Sequence, residues 1–154
     1  VYVAPHDARD AGAHRRVTQD ADKWLDVRIE SSGARAAIDL ARAGFAVYAG
    51  HLDPAALPYN DIPADRPVAL LFGNEHEGPS QETLAACAGT FRIPMAGFTQ
   101  SFNVSVAAGI SLSRICSARR AFLHSAGDLS AAERRELRSR FLRLAAKLAR
   151  RVRR

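Results

Sequence analysis

The stretch IPMAGFTQSFNVSVAAGISLSRI, residues 93–115, joins a turn-rich polar loop directly to a helix of small apolar residues. Pro94, Gly97 and the run Gln100-Ser101-Phe102-Asn103 are too polar for a core. From Asn103 to about His124 the spacing predicts a helix, with Gly127 as a stop signal. Val104, Val106, Ala107, Ala108 and Ile110 make that helix apolar nearly all round, which predicts burial in the core or between subunits. Asn103 has two readings. It is a helix N-cap, or it points with Ser101 into a site where helix amides favour an anion such as phosphate.

A second unusual segment, LLFGNEHEG (residues 70–78), stands ahead of it. Gly73 and Gly78 bracket Asn74-Glu75-His76-Glu77. Glycines let the backbone approach a ligand closely, but a tight strand–helix turn has the same composition. Glu75 reads as a base or as a cap for neighbouring amides, and His76 as a loop residue.

Around these corners the chain alternates strand and helix patterns. Val1–Ala4 reads as a strand, followed by a polar stretch from Pro5 to Lys23 without a clear period. Trp24–Ile29 reads as a strand, then a helix over Ala34–Ala43, capped by Ser31 or Ser32 and closed by Gly44. Phe45–Ala49 and Val68–Phe72 are apolar runs of buried-strand type. Asp53–Tyr59 reads as a loop with room for one helical turn. Ser80 caps a short helix reaching about Ala88, and Phe91–Ile93 is a short strand. Ser130 and Glu133 form a capping-box pair, after which Leu137, Phe141, Leu144, Leu148 and Val152 keep helical spacing. This order predicts an α/β fold with a mainly parallel sheet and helices on both faces. Ligands of such sheets bind at the carboxyl ends of the strands, which here means the loops beginning at Gly50, Gly73 and Pro94.

The 154 residues suit one domain with a full core. Residues 1–118 carry 10 Lys+Arg against 13 Asp+Glu, a balance of −3, and residues 119–154 carry 12 against 3, a balance of +9. A basic tail attracts polyanions, nucleic acid above all; a solvated Arg-rich helix face is the plain alternative. Cys87 and Cys116 have neither disulfide nor zinc spacing and read as buried thiols in a reducing cytoplasm. The five histidines show no metal spacing, so no metal is expected. No apolar run is long enough to span a bilayer, and no GxSxG, Walker A or GxGxxG is present.

FGNEHEG followed by IPMAGFTQSFNVSVAAGI resembles the second and third motifs of the SpoU/TrmH branch of the SPOUT RNA methyltransferases. The likeness extends more weakly to ADKWLDVRI (residues 21–29) and GFAVYAGHL (residues 44–52). The QSxNVSVA form is nearer to tRNA guanosine-18 2′-O-methyltransferases; the ribosomal-RNA guanosine enzymes are the near alternative.

The resemblance implies a C-terminal trefoil knot, a rare exception to the threading rule. It implies S-adenosyl-L-methionine bound among Ala49–Leu52, Phe72–Gly78 and Ile93–Asn103. Gly50, Gly73, Ile93, Met95 and Phe102 are then cofactor-binding, with Phe102 standing in place of the more usual Leu. Glu75, Ser101 and Asn103 match the polar catalytic positions. Residues 1–127 are the expected methyltransferase domain and 128–154 a basic helical extension, with Arg119, Arg150, Arg151, Arg153 and Arg154 as RNA contacts. The implied assembly is a cytoplasmic homodimer acting on tRNA or rRNA, without membrane or metal. The family's first motif, an Asn-rich strand–helix segment ending in Arg, has no match from Val1 onward. Arg9, Arg15 and Arg16 lie in a polar loop and do not replace that Arg. The expectation is that this motif lies upstream of Val1; a catalytically degenerate RNA-binding protein is the alternative.

Overall fold

A computed structural model describes residues 1–4, 24–74, 77–98 and 101–152, with backbone alone from residue 148 on. The polar stretch with Arg9, Arg15 and Arg16, the pair Glu75-His76, and Arg153 and Arg154 lie outside the described residues.

The main sheet has four parallel strands. β3 (Ala46–Gly50) lies between β5 (Val68–Leu71) and β6 (Gly89–Arg92), and β4 (Leu57–Pro58) adds to the outer side of β6. The register pairs Tyr48 with Leu70 and Gly50 with Phe91. Side chains alternate across a sheet, so Tyr48, Leu70 and Phe91 share one face and Val47 and Ala49 the other. The first face packs on Ile62 and Ile115 in the main apolar cluster. The second meets helix α1 (Gly33–Arg42), whose buried residues are Ala34, Ala36 and Ala37. Alanines on that face let the helix lie close against the sheet. A second, two-stranded parallel sheet pairs β1 (Tyr2–Val3) with β2 (Arg28–Ile29).

Local signals form where their chemistry places them. Ser32 Oγ accepts from the Arg35 N–H at 3.1 Å, and Gly44 takes the left-handed conformation after α1 with φ of 90°. Ser80 Oγ accepts from the Thr83 N–H at the start of α2 (Gln81–Ala85). In the capping box of α4 (Ala131–Val152), Ser130 N–H donates to Glu133 Oε2 at 2.8 Å and Glu133 N–H to Ser130 Oγ at 3.2 Å. Helix α3 (Val104–Leu123) ends on His124 in the left-handed conformation.

Four expectations change. The strand expected over Trp24–Ile29 is only Arg28–Ile29, because β1 offers just two residues to pair with. The loop expected over Asp53–Tyr59 contains β4, followed by a short 3₁₀ turn over Tyr59–Asp61. Pro58 hides this strand from a propensity reading, yet proline is tolerated on an edge where its missing N–H faces no partner. Helix α3 is not enclosed within this chain: Ser111 and Ile115 are its buried residues, while Val104, Val106 and Leu112 are exposed. Cys116, one position round the helix from Ile115, is exposed, whereas Cys87 is half-buried and burial pushes its thiol up.

Ser111 is fully buried, and its Oγ has no hydrogen-bond partner among the described residues. Desolvating an unpaired hydroxyl costs about 1–3 kcal/mol. Ser111→Ala is therefore expected to raise stability by about 1 kcal/mol, read as a higher midpoint in urea unfolding.

Helix α4 is fastened to the start of the domain. The Trp24 and Phe141 rings meet edge to face at 5.5 Å, and Arg140 donates to Asp26 at 2.8 Å. Arg140 holds the Asp26 carboxyl below its ordinary value of 3.8, and hydrogen bonds from Ser130 lower Glu133. A depressed carboxylate stabilises the fold above the unfolded value and loses that contribution as pH falls through the folded one. The hold on α4 is thus expected to weaken, not to be lost, below about pH 4, because such exposed contacts contribute little and the Trp24–Phe141 packing does not titrate. Trp24 is the single tryptophan, so its emission should shift to longer wavelength in that range and, at neutral pH, in Phe141→Ala.

Candidate functional site

Three strands end on one side of the sheet, and the loops leaving them enclose a cavity of about 350 Å³. Gly50, His51 and Leu52 come from the end of β3, residues 72–74 and 77–79 supply the wall after β5, Arg92 ends β6, and Ile93 and Met95 follow it. Ser101, Phe102, Val104 and Ala107 close it from the third loop and the first turn of α3. All five expected cofactor residues, Gly50, Gly73, Ile93, Met95 and Phe102, line this one space, and Ser101 lines it with them.

Aromatic rings make its apolar base. Phe72 and Phe91 meet edge to face at 5.8 Å and 86°, and Phe91 is 1% exposed. A Cβ on Gly50 would sit 3.4 Å from both rings, so glycine leaves the base open.

The loop after β5 folds back on itself. Asn74 C=O accepts from the Gly78 N–H at 3.1 Å, and its Oδ1 accepts from the Glu77 N–H at 2.7 Å. This brings Gly78 and Pro79 down onto Gly73, where any Cβ would collide with their backbone. Glycine at 73 is thus required by the loop's own closure as well as by space for a ligand. The two sequence readings of this segment, tight turn and ligand wall, describe the same atoms.

Asn103 does not line the cavity. Its Oδ1 accepts from the Ser105 N–H at 2.9 Å, so it caps α3. Its neighbours Ser101, Phe102 and Val104 do line the space, which places the first turn of α3 at the cavity rim. Glu75 falls outside the described residues.

The expected RNA contacts divide. Arg119 is 14% exposed at its side chain, donates to both oxygens of Asp128 at 3.1 and 3.2 Å, and donates to the Ala64 carbonyl at 3.0 Å. Its charge is engaged inside the fold, locking the end of α3 to the connection before α4; Asp128 is correspondingly held below the usual carboxylate range. Arg150 and Arg151 lie on the last turn of α4, of which the backbone is described. Arg135, Arg138, Arg143 and Lys147 are exposed along the same helix.

Sequence reading missed Phe91 and Arg92 as cavity residues, while Phe72 and Glu77 fall in a loop it gave to the cofactor. Phe91 and Arg92 are the last two residues of the strand that leads into the third loop, and that placement is the signal that finds them. Among the described residues no group of His, Cys, Asp and Glu could hold a metal ion, and no helix is long and apolar enough to cross a membrane.

The chain resembles known proteins in this region. It is 41% identical over 90 residues to the tRNA (guanosine(18)-2′-O)-methyltransferase of Thermus thermophilus, covering 58% of this chain and 46% of that protein. It superposes on the TrmH/SpoU tRNA-modifying enzyme of A. aeolicus with a TM-score of 0.74 at 26% identity, covering 90% of this chain and 72% of the other. An AdoMet-bound rRNA methyltransferase from Sinorhizobium meliloti superposes with a TM-score of 0.58 at 31% identity, covering 66% of this chain and 39% of the other. The chain thus spans about half the length of the curated relative it matches. Residues 1–113, from β1 into α3 and including every described wall of the cavity, match the SpoU rRNA methylase family, and the chain belongs to that family.

Proposed function

We propose that this chain transfers a methyl group from S-adenosyl-L-methionine to a ribose 2′-hydroxyl of RNA, with guanosine 18 in the tRNA D-loop as the target. The observation that carries this reading is the single cavity shared by Gly50, Gly73, Ile93, Met95, Ser101 and Phe102. Its volume falls in the range of small-molecule sites, roughly 300–1,000 Å³. An apolar base with glycine walls suits a flat base, and backbone groups at the strand ends suit its polar edge. The cofactor would supply a methyl already activated on a sulfonium sulfur, so no metal is called for. The protein's part is alignment of the ribose hydroxyl with that methyl, together with removal of the hydroxyl proton. Ser101 and Glu75 are proposed to hold the ribose, and Asn103 to set the start of α3 against it. The relative from Thermus, named for guanosine 18, favours tRNA over rRNA; the rRNA methyltransferase from Sinorhizobium keeps ribosomal RNA as the second reading.

The same reading takes the polypeptide around the cavity as a trefoil knot, residues 1–127 as the methyltransferase domain, and 128–154 as a basic extension. It takes the protein to be a cytoplasmic homodimer, with the exposed apolar residues Val104, Val106 and Leu112 of α3 against a second copy.

Labelled methyl incorporation into unmodified tRNA and 23S rRNA, followed by mapping of the modified nucleotide, tests it. The assay uses protein expressed with any in-frame coding sequence ahead of Val1. Methylation at guanosine 18 is the expected result; absence of both methylation and cofactor binding would favour a catalytically degenerate RNA-binding protein. Neutralising Arg150, Arg151, Arg153 and Arg154 together is expected to weaken RNA binding and flatten its salt dependence. An unchanged salt slope would remove the basic helix from the RNA interface.

A further inference from the structure

We propose that Arg92 is a positioning residue for the cofactor, acting through the loop that carries His51 and Leu52. This rests on the reading that the cavity takes S-adenosyl-L-methionine. Arg92 ends β6, and its Nη1 donates to the Ala56 carbonyl at 2.8 Å in a part-buried position. Among the described residues its partner is a backbone carbonyl and not a carboxylate, so its bond serves the course of the chain and not a charge balance.

The loop from His51 to Ala56 is fastened to β6 at both ends. At its start the His51 N–H donates to the Phe91 carbonyl at 3.0 Å. At its end Arg92 holds Ala56, which is 4% exposed. Between them Asp53 shapes the turn: its Oδ1 accepts from the Ala55 N–H at 2.8 Å and its C=O from the Ala56 N–H at 2.9 Å. The next two residues form β4, a strand of only two residues whose second is Pro58, paired with Arg92 itself. With only two residues in register, the backbone alone joins this edge to β6 weakly. The guanidinium supplies a cross-strand bond that the backbone does not. His51 and Leu52 line the cavity on one side of this fastening, and Arg92 and Ile93 line it on the other. Removing the side chain frees the distal end of the loop and widens one wall while the aromatic base stays in place.

The test compares the unaltered chain with Arg92→Met and Arg92→Lys. S-adenosylhomocysteine serves as the probe in calorimetry, and hydrogen exchange reports on the loop. Arg92→Met is expected to bind roughly tenfold more weakly, the value of one hydrogen bond from a charged donor. The Ala55 and Ala56 amides should exchange faster while those of Val47 and Ala49 do not change. Arg92→Lys keeps a cationic donor that reaches the carbonyl and should fall between the two, also serving if the Met variant does not fold. In the methylation assay KM for the cofactor should rise with kcat nearly constant; a general loss of folding would lower both. Wild-type binding by both variants, or weakened binding without faster exchange at Ala55 and Ala56, would overturn the role of Arg92 alone. An unaltered chain that does not bind the probe would overturn the cofactor reading, and this one with it.

Discussion

Gly73→Ala is expected to reduce binding of S-adenosylhomocysteine by roughly 100-fold and to cost the fold about 2–3 kcal/mol. The added methyl has no room, because the backbone of Gly78 and Pro79 occupies its place. That backbone cannot yield by a rotamer change. It is held by the Asn74–Gly78 pairing and by the Asn74 side chain on the Glu77 N–H. The loop must open at Asn74 to accept alanine, and opening it moves Asn74, Glu77 and Gly78, all of which line the cavity. Gly50→Ala provides the internal comparison. Its Cβ would first meet the Phe72 and Phe91 rings at 3.4 Å, and rings can shift by tenths of an ångström. Its effect should be several-fold smaller. Equal binding by Gly73→Ala and the unaltered chain would show that the loop after β5 does not form a ligand wall.

Asn103→Ala is expected to lower kcat/KM for RNA methylation by roughly 100-fold and stability by about 1 kcal/mol. Two effects are combined in that variant, and Asn103→Ser separates them. Serine caps a helix nearly as well as asparagine, so stability should return. It does not reproduce the amide donor, so activity should not return if Asn103 also meets the ribose or its phosphate. Full recovery of activity in the serine variant would reduce Asn103 to a cap. Cofactor binding should persist in both, since Asn103 stands outside the cavity lining.

The features legible from sequence were those whose cause is local. Ser32, Ser80 and Ser130 cap helices because each oxygen reaches an amide three residues on. The runs around Val47 and Leu70 form strands because a parallel sheet covered on both faces has no polar side to display, the first mostly buried and the second half-buried. Gly50, Gly73 and the residues from Ile93 to Phe102 were legible as a site because each follows a strand end. The resemblance to SpoU/TrmH proteins tied those three loops to one ligand before any distance was known.

Other features depended on partners far away in the chain. Pro58 is in a strand only because the outer edge of β6 lies beside it. Arg92 has no visible task until Ala56, 36 residues away, comes within 2.8 Å. Arg119 looked like one more cation of a basic tail, yet Asp128 and the distant Ala64 carbonyl take up its donors. Trp24 and Asp26 gained a role only by meeting Phe141 and Arg140 across more than a hundred residues. Composition and periodicity record what a residue does to its own neighbourhood on the chain. By themselves they determined the α/β order, the helix caps and the three loops of the site. The packing of distant segments decided which cations are free, where the edge strand lies and how the cavity walls are held, because those contacts exist only once the sheet has assembled.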